Sequence, residues 1–344
     1  MAIRPQLKSL TRQTIVITGA TSGIGLATTR MAVQRGAAVV LVARNVDALK
    51  TISEELRAKG GRVAIHEADV GDPDQVDAVA RMAEEAFGGF DSWVNNASAF
   101  IFGRTDEIPL QDHRRIFDTV YWGVVHGSLT AARTLRYRGG AIVNVGSVLG
   151  DRALALQGPY SDAKHAVKGI TDTLRMEFEE AGLPISVTLV KPGPIDTPYV
   201  DHARNWMPSV GTRNPPPVYD ARLVARAILH ACRWPIRDLY VGSGGLATTL
   251  AGTLAPRLTD MVMELGARSA QSSDQPAPAE RLDNLHVPRQ DNAEQGARSP
   301  GFVRRRSLIL EAQINPVATL VRQAGDTALT LGRDTLRGLL RGRA

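Results

Sequence analysis

A serine, a tyrosine and a lysine at fixed spacing are the residues of this chain best equipped for chemistry. An apolar run at 141–145 leads through Gly146 to Ser147, and thirteen residues later Tyr160 precedes Lys164 by four. On a helix, positions i and i+4 face the same side one turn apart. An ammonium held near a phenol favours the phenolate, so Lys164 is expected to lower the Tyr160 pKa from its ordinary value of about 10. Ser147, at the end of a strand beside that helix, can offer its hydroxyl to a carbonyl oxygen. The three side chains together can move a proton on and off an oxygen while a hydride moves on and off its carbon. Tyrosine and lysine four apart on a helix are common by chance, so the reading depends on a hydride source elsewhere in the chain.

That source is legible near the N-terminus. The apolar run 14–18 passes directly into Gly19-Ala20-Thr21-Ser22-Gly23-Ile24-Gly25, and a helical pattern follows to Gln34, stopped by Gly36. Strand, glycine loop and helix in that order place backbone N–H groups where they cradle a pyrophosphate. The spacing is Gly-x-x-x-Gly-x-Gly, unlike the Gly-x-Gly-x-x-Gly of the usual dinucleotide fingerprint. Residues 39–42 read as a second strand buried on both faces, with Ala43-Arg44-Asn45 at its carboxyl edge. An acid at this edge bonds the adenosine ribose in dinucleotide folds, whereas an arginine accommodates a 2′-phosphate. With no acid and a guanidinium at Arg44, the edge favours NADP(H) over NAD(H); the bland alternative is a solvated arginine at a strand end.

The elements that must position these groups alternate regularly. A helix at 46–59 stops at Gly60-Gly61, a strand at 62–66 leads to Asp69-Val70, and Asp72-Pro73 starts a helix ended by Gly88-Gly89. A fourth strand at 91–94 leads into Asn95-Asn96-Ala97-Ser98, and one helix spans 110–136. After the fifth strand, the Tyr160 helix runs to Glu180 and a sixth strand covers 185–190, followed by the stiff turn Lys191-Pro192-Gly193-Pro194-Ile195-Asp196-Thr197-Pro198. Residues 199–219 form a proline-rich loop carrying Tyr199, Trp206 and Met207, which either closes over a ligand or packs on the domain. A helix at 220–232 and a strand at 238–241 follow. Strands separated by helices predict an α/β fold, a doubly wound parallel sheet of about seven strands with helices on both faces. Ligands in such sheets sit at the carboxyl ends of strands, where Asp69, Asn96 and Ser147 all fall.

Composition sets the outer bounds. The 344 residues are 43% apolar and 22% charged, and the net charge is +6. Residues 302–344 hold eight arginines against Glu311, Asp326 and Asp334, which is +5 of that total. The body is therefore nearly neutral, which argues against nucleic-acid binding. The single cysteine, Cys232, excludes an intrachain disulfide and reads as a buried structural thiol in a reducing compartment. The seven histidines lack metal-ligand spacing, so no metal site is expected. Residues 1–13 lack the apolar core of a signal peptide, and no run approaches the roughly 20 apolar residues of a membrane span, so a cytoplasmic protein is expected.

With these motifs in place, the chain from about 13 to 245 resembles the short-chain dehydrogenase/reductase family, in its classical-length branch with a Rossmann-like fold. The signals are Thr18 to Gly25, Asp69-Val70, Asn95 to Ser98, Ser147 with Tyr160-x-x-x-Lys164, and Pro192-Gly193, in the family's order. Ser98 replaces the glycine of the Asn-Asn-Ala-Gly signal. The resemblance implies that Asp69 and Val70 border the adenine, that Asn96 and Ala97 form cofactor wall, and that Ile195 and Thr197 reach the nicotinamide. It implies Ser147 as carbonyl polariser, Tyr160 as proton donor and acceptor, and Lys164 as ribose anchor. A homodimer or homotetramer is likewise implied. One departure is Val120, which stands where the family places an asparagine that holds a water joining the lysine to solvent; valine has no side-chain hydrogen bond to give. A relay through backbone carbonyls, or through Thr119 in a shifted register, stays open, and slower turnover is expected.

The expected function is NADP(H)-dependent interconversion of a secondary alcohol and a ketone, with Leu149, Gln157, Tyr199 and Trp206 as substrate-side candidates and a lipophilic substrate. The competing class is a catalytically drifted NADP-binding or scaffold protein, favoured by Val120 and the tail. Residues 1–12 read as an N-terminal arm and 13–265 as the oxidoreductase domain. Residues 266–301 read as a linker, rich in Ser, Gln, Asp, Pro and Ala, although Leu282-Asp283-Asn284-Leu285 can dock locally. Within 302–344, Arg304-Arg305-Arg306 precedes a basic amphipathic helical pattern at 316–340. That pattern suits an anionic membrane surface or a partner groove, and equally the chain's own body.

Overall fold

The computed structural model describes residues 5–207, 210–273, 283–297 and 302–315, together with Val317, Val321 and Gly325. Seven parallel strands form the central sheet: β1 (Thr14–Thr18), β2 (Ala38–Ala43), β3 (Val63–Glu67), β4 (Ser92–Asn95), β5 (Gly140–Val145), β6 (Ile185–Pro192) and β7 (Asp238–Val241). Their spatial order is β7-β6-β5-β4-β1-β2-β3. The chain winds outward from β1 to β3 and then crosses back to β4, so the switch of direction lies between β1 and β4. Their carboxyl ends open the crevice in which such sheets bind ligands. The inner strands are almost wholly apolar because both faces are covered.

On one face lie α1 (Gly23–Gln34), α2 (Val46–Ala58) and α7 (Ala221–Arg233), whose Leu26, Leu49, Ile52 and Ile228 join the strands in one buried cluster. Opposite are α3 (Pro73–Phe87), α5 (Gly123–Arg138) and α6 (Gly158–Glu180). There Val79, Leu135 and the fully buried Trp93 pack together. The starts and stops follow local chemistry. Asp72 caps α3 by accepting from the Asp74 and Gln75 amides, Pro73 opens it, and Gly88 ends it at φ +70°.

Several expectations need correction. The helical stretch expected at 110–136 is present without a break, but with a π-helical turn at Asp118–Trp122 between α4 (Leu110–Phe117) and α5. A single π turn leaves the apolar rhythm nearly intact, so the pattern carried no sign of it. The proline-rich loop is built into the body. Arg204–Asn205 pairs with Ile101–Phe102, and Val218–Asp220 lies between Ile195–Asp196 and Val303–Arg304. Its Tyr199, Trp206 and Met207 pack on a third apolar cluster, so packing on the domain is the reading that holds.

The boundary at 265 falls inside α9 (Pro256–Gln271), which follows α8 (Ser243–Leu254). Residues 283–297 lie docked on the body instead of spanning free. Leu285 is fully buried, Asp283 pairs with Arg204, and Glu294 pairs with Arg30 and Arg222. Composition reads such a polar stretch as a linker because it cannot register charges matched to distant partners. Arg304 lies in a paired strand rather than a free basic run. The short helix α10 (Leu308–Ile314) seats the buried Leu310 and ties Gln313 to the Tyr240 backbone. The amphipathic pattern at 316–340 lies, but for Val317, Val321 and Gly325, outside the described residues.

One buried ion pair ties the end of β6 to the turn after β5. Lys191 Nζ lies 3.0 Å from Asp151 with both side chains nearly sealed from water, and it also donates to the Tyr240 hydroxyl. Asp151→Ala would leave the ammonium buried without its counter-ion. The expected loss is about 3–5 kcal/mol of stability, read as a lower urea midpoint at unchanged slope.

Candidate active site

The glycine loop is shaped by close approach. Gly19 adopts φ +66°, and a Cβ on Gly25 would sit 1.9 Å from the Gly19 carbonyl. Only glycine lets α1 begin this near the end of β1. Thr18 and Asn96 fix the loop from behind. The Thr18 hydroxyl accepts from the Asn96 and Ala97 amides at 3.0 and 3.1 Å, and Asn96 Nδ2 donates to the Thr18 and Gly19 carbonyls. Asn96 therefore acts on a dinucleotide site by holding its loop. The neighbouring Asn95 is turned away into a buried network with Trp93, Ser128 and Asn144.

A cleft runs along the carboxyl ends of β1, β2 and β4, lined by Gly19, Thr21, Ser22, Gly23 and Ile24 on one side and by Arg44, Asn45, Asp69, Val70, Asn96 and Ala97 on the other. The residues fit a dinucleotide: Gly19, Thr21, Ser22 and Gly23 line the cleft at the start of α1, and the buried Thr119 hydroxyl, without a hydrogen-bond partner, lies in the cleft wall. Arg44 is not the free phosphate anchor expected from its position. Its guanidinium donates to the carbonyls of Asn284, Leu285 and His286. Burial and the nearby Arg115 lower its pKa, against the pull of Asp69 and Asp283. Asn45 accepts from the Ala48 amide and so caps α2. Asp69 pairs with Arg115 at 2.5 Å. Burial pushes its carboxyl up, but the Arg115 guanidinium and the Gly71 amide outweigh that and leave it below its ordinary value.

A second cavity contains Ser147, Tyr160 and Lys164, with Pro192, Gly193 and Ile195 from the end of β6. Ile24, Asn96, Ser98, Thr197 and Tyr199 line both cavities, so the two adjoin. Ser147 Oγ accepts from the Leu149 amide at 3.0 Å, which fixes the turn that follows β5. The Tyr160 hydroxyl is gathered among those of Tyr199, Ser147 and Ser98. Lys164 Nζ donates to the Val145 carbonyl at 2.7 Å and lies 5.6 Å from the Tyr160 ring centre.

The expected lowering of the Tyr160 pKa by Lys164 is not what the site shows. Burial pushes the tyrosine up, and the surrounding hydroxyls only partly oppose it. Burial also pushes Lys164 down to about 7. Desolvation penalises both charged forms more than the spacing rewards them.

Val120 is fully buried on the π turn, in the same apolar cluster as Tyr160, Ala163 and Val167. Thr119 lines the first cavity and not the second, which holds Lys164. Among the substrate-side candidates, Leu149, Gln157 and Tyr199 line the second cavity. Gln157 is tied to Gln271 of α9. Tyr199 stacks on Phe100 at 4.3 Å and meets Tyr160 edge-on at 5.4 Å. Trp206 lines neither cavity: its indole donates to Asp112, and the loop that carries it pairs away from the site. Sequence reasoning passed over Ser98, whose hydroxyl joins the Tyr160 group, and Arg115, whose partner Asp69 is 46 residues away. A hydroxyl where glycine was expected was the available signal for the former.

Comparison with known proteins agrees with this geometry. The short chain dehydrogenase family model matches residues 13–208. An uncharacterized oxidoreductase, YxnA of Bacillus subtilis, is 41% identical over 322 residues, covering 93% of this chain and 90% of its own. A D-beta-hydroxybutyrate dehydrogenase of Rhizobium meliloti is 33% identical over 192 residues, covering 55% of this chain and 74% of its own. Among solved structures, a short chain dehydrogenase/reductase from Burkholderia phymatum in complex with NAD superposes with TM-score 0.66 at 27% identity, over 73% of this chain and 96% of that one. An alcohol dehydrogenase from the archaeon Thermococcus sibiricus, complexed with 5-hydroxy-NADP, gives TM-score 0.59 at 25% identity, over 67% and 95%. A match that takes in most of the chain, on a sheet of this order with serine, tyrosine and lysine at its mouth, makes this protein a member of the short-chain dehydrogenase/reductase family.

Proposed function

We propose that the protein is an NADP(H)-dependent oxidoreductase that interconverts a secondary alcohol and a ketone. The observation that carries this reading is the convergence of Ser147, Tyr160 and Lys164 in a cavity that adjoins the glycine-loop cleft and shares five lining residues with it. What a bound nicotinamide supplies there is hydride chemistry at a carbonyl carbon. Ser147 offers its hydroxyl to the carbonyl oxygen, and Tyr160 gives that oxygen a proton as negative charge develops on it. Lys164 lies against the tyrosine ring as the cation that stabilises the phenolate left behind. Val148, Leu149, Leu154 and Pro215 line the substrate side, which supports a lipophilic substrate.

Preference for NADP(H) is supported by the cationic surround of the adenosine end, where Arg44, Arg115 and Arg289 gather and β2 ends without an acid. It is not supported by a free Arg44. The test follows NADPH and NADH absorbance with aliphatic, aromatic and steroid-like ketones. Turnover of at least one lipophilic ketone with NADPH is expected; no turnover with either cofactor across the set would favour a binding protein. No helix among the described residues is long and apolar enough to cross a membrane. A homodimer or homotetramer, a cytoplasmic location and a membrane contact through residues 302–344 belong to the same proposal. Sedimentation velocity, cell fractionation and co-sedimentation with anionic liposomes read them out.

A further inference from the structure

Residues 283–297 cross the mouth of the cleft between two anchors. At one end, the Arg44 and Arg115 guanidinium groups both donate to the Leu285 carbonyl, at 3.2 and 3.0 Å, and the Leu285 side chain is buried in the cluster that holds Phe100 and Tyr160. At the other end, the Gly23 amide at the start of α1 donates to the Ala293 carbonyl at 2.8 Å. The anchors thus grip the end of β2 and the glycine loop, the two walls between which a dinucleotide's adenosine half would lie. Ion pairs fasten the edges: Asp283 with Arg204 at 2.8 Å, and Glu294 with Arg30 at 2.8 Å. Between the anchors, Pro288 and Arg289 line the cleft across from the glycine loop, as does Asn284 beside the first anchor.

We propose that this segment is a strap that completes the dinucleotide site, closing over the bound cofactor and presenting Arg289 to one of its phosphates. The proposal rests on the nicotinamide reading above. A segment with no helix or strand of its own is held here by backbone bonds and scattered ion pairs, and such segments open more readily than the packed sheet. It can therefore lift to admit a dinucleotide and settle again. Arg289 lines the cleft and is braced by the Asp201 carbonyl at 2.8 Å and by Asp291 at 3.5 Å; its planar fork suits a phosphate. The cofactor then leaves only when the anchors release, so the strap sets the rate of release more than the rate of capture.

The test uses the full chain and NADPH or NADH as probes, with equilibrium fluorescence titration and stopped-flow displacement. Two variants loosen the strap by different means: Leu285→Ser removes the apolar anchor, and Asp283→Ala/Glu294→Ala removes three edge ion pairs, to Arg204, Arg30 and Arg222, without touching the core. Each is expected to speed cofactor release by about 10-fold or more with little change in association. Arg289→Ala is expected to weaken binding by about 10-fold, with partial recovery in Arg289→Lys. A larger loss for NADPH than for NADH assigns Arg289 to the 2′-phosphate, and equal losses assign it to the pyrophosphate. Unchanged release in both loosened variants overturns the strap, as does tighter binding, which would mean that the segment competes with the dinucleotide. Unchanged binding in Arg289→Ala removes the phosphate role. Failure of the unmodified chain to bind either nucleotide overturns the nicotinamide reading itself.

Discussion

Tyr160→Phe is expected to lower kcat for ketone reduction by about 10²–10⁴-fold while leaving cofactor binding and stability nearly unchanged. The substitution keeps the ring that meets Phe100 at 6.1 Å and Tyr199 at 5.4 Å, so the packing survives and only the transferable proton is lost. The loss should fall on kcat, because the proton moves only as the carbonyl oxygen gains charge. Burial raises the Tyr160 pKa, which keeps the phenol protonated at neutral pH and suits it to donate. Reduction should therefore hold steady at neutral pH, whereas alcohol oxidation, which needs the phenolate, should rise with pH. Tyr199 brings a second buried hydroxyl to the same place. Residual activity in Tyr160→Phe that disappears in Tyr160→Phe/Tyr199→Phe would identify it as a substitute donor. A single variant within a few-fold of the unmodified rate would remove Tyr160 from the proton-transfer role.

Lys164→Met is expected to abolish most activity and yet make the fold more stable. The Lys164 amine is sealed from water, and burial alone pushes its pKa from 10.5 down to about 7. Between those values the unfolded chain holds a proton that the folded chain has released, so unfolding takes up a proton and stability rises with pH across the window. Below about pH 7 the lysine is protonated in both states, and the cost of burying its charge is at full size. Above pH 10.5 it is neutral in both, and the cost vanishes. The methionine fills similar volume without charge, and its gain should be on the order of 2–5 kcal/mol at neutral pH or below, less about 1 kcal/mol for the lost bond to the Val145 carbonyl. The gap between the two proteins in urea midpoint should close as pH rises toward 10.5. A gap of opposite sign, or one independent of pH, would show that the lysine is not buried in this way. A buried lysine that weakens the fold is the expected compromise where a site needs a cation.

Much of the frame was legible in the residues. Continuous apolar runs separated by helical ones, with glycine stops at Gly36 and Gly88, placed all seven sheet strands and their helices within a residue or two. The spacing of Ser147, Tyr160 and Lys164 and the crowded glycines at 19–25 likewise pointed to the cavity in which they are found. These features are local: a cap, a turn or a strand is decided by neighbours in the chain, so its cause is written beside it.

What the tertiary structure alone decided depends on groups far apart in sequence. Arg44 looked like a free phosphate anchor because nothing near it says that carbonyls 240 residues later take its guanidinium. Residues 283–297 looked like a linker because their burial comes from one leucine and from charges whose partners lie on α1, α7 and the Arg204 strand. The pKa direction at Tyr160 is the reverse of the pairwise expectation, since spacing gives the neighbour but not the depth of burial, and here desolvation outweighs it. The sequence by itself determined the sheet, the glycine loop and the placing of Ser147, Tyr160 and Lys164 at one strand end, through short-range sterics and periodicity. Which donors face the cleft, which are already satisfied and what covers them was decided by long-range packing and electrostatics.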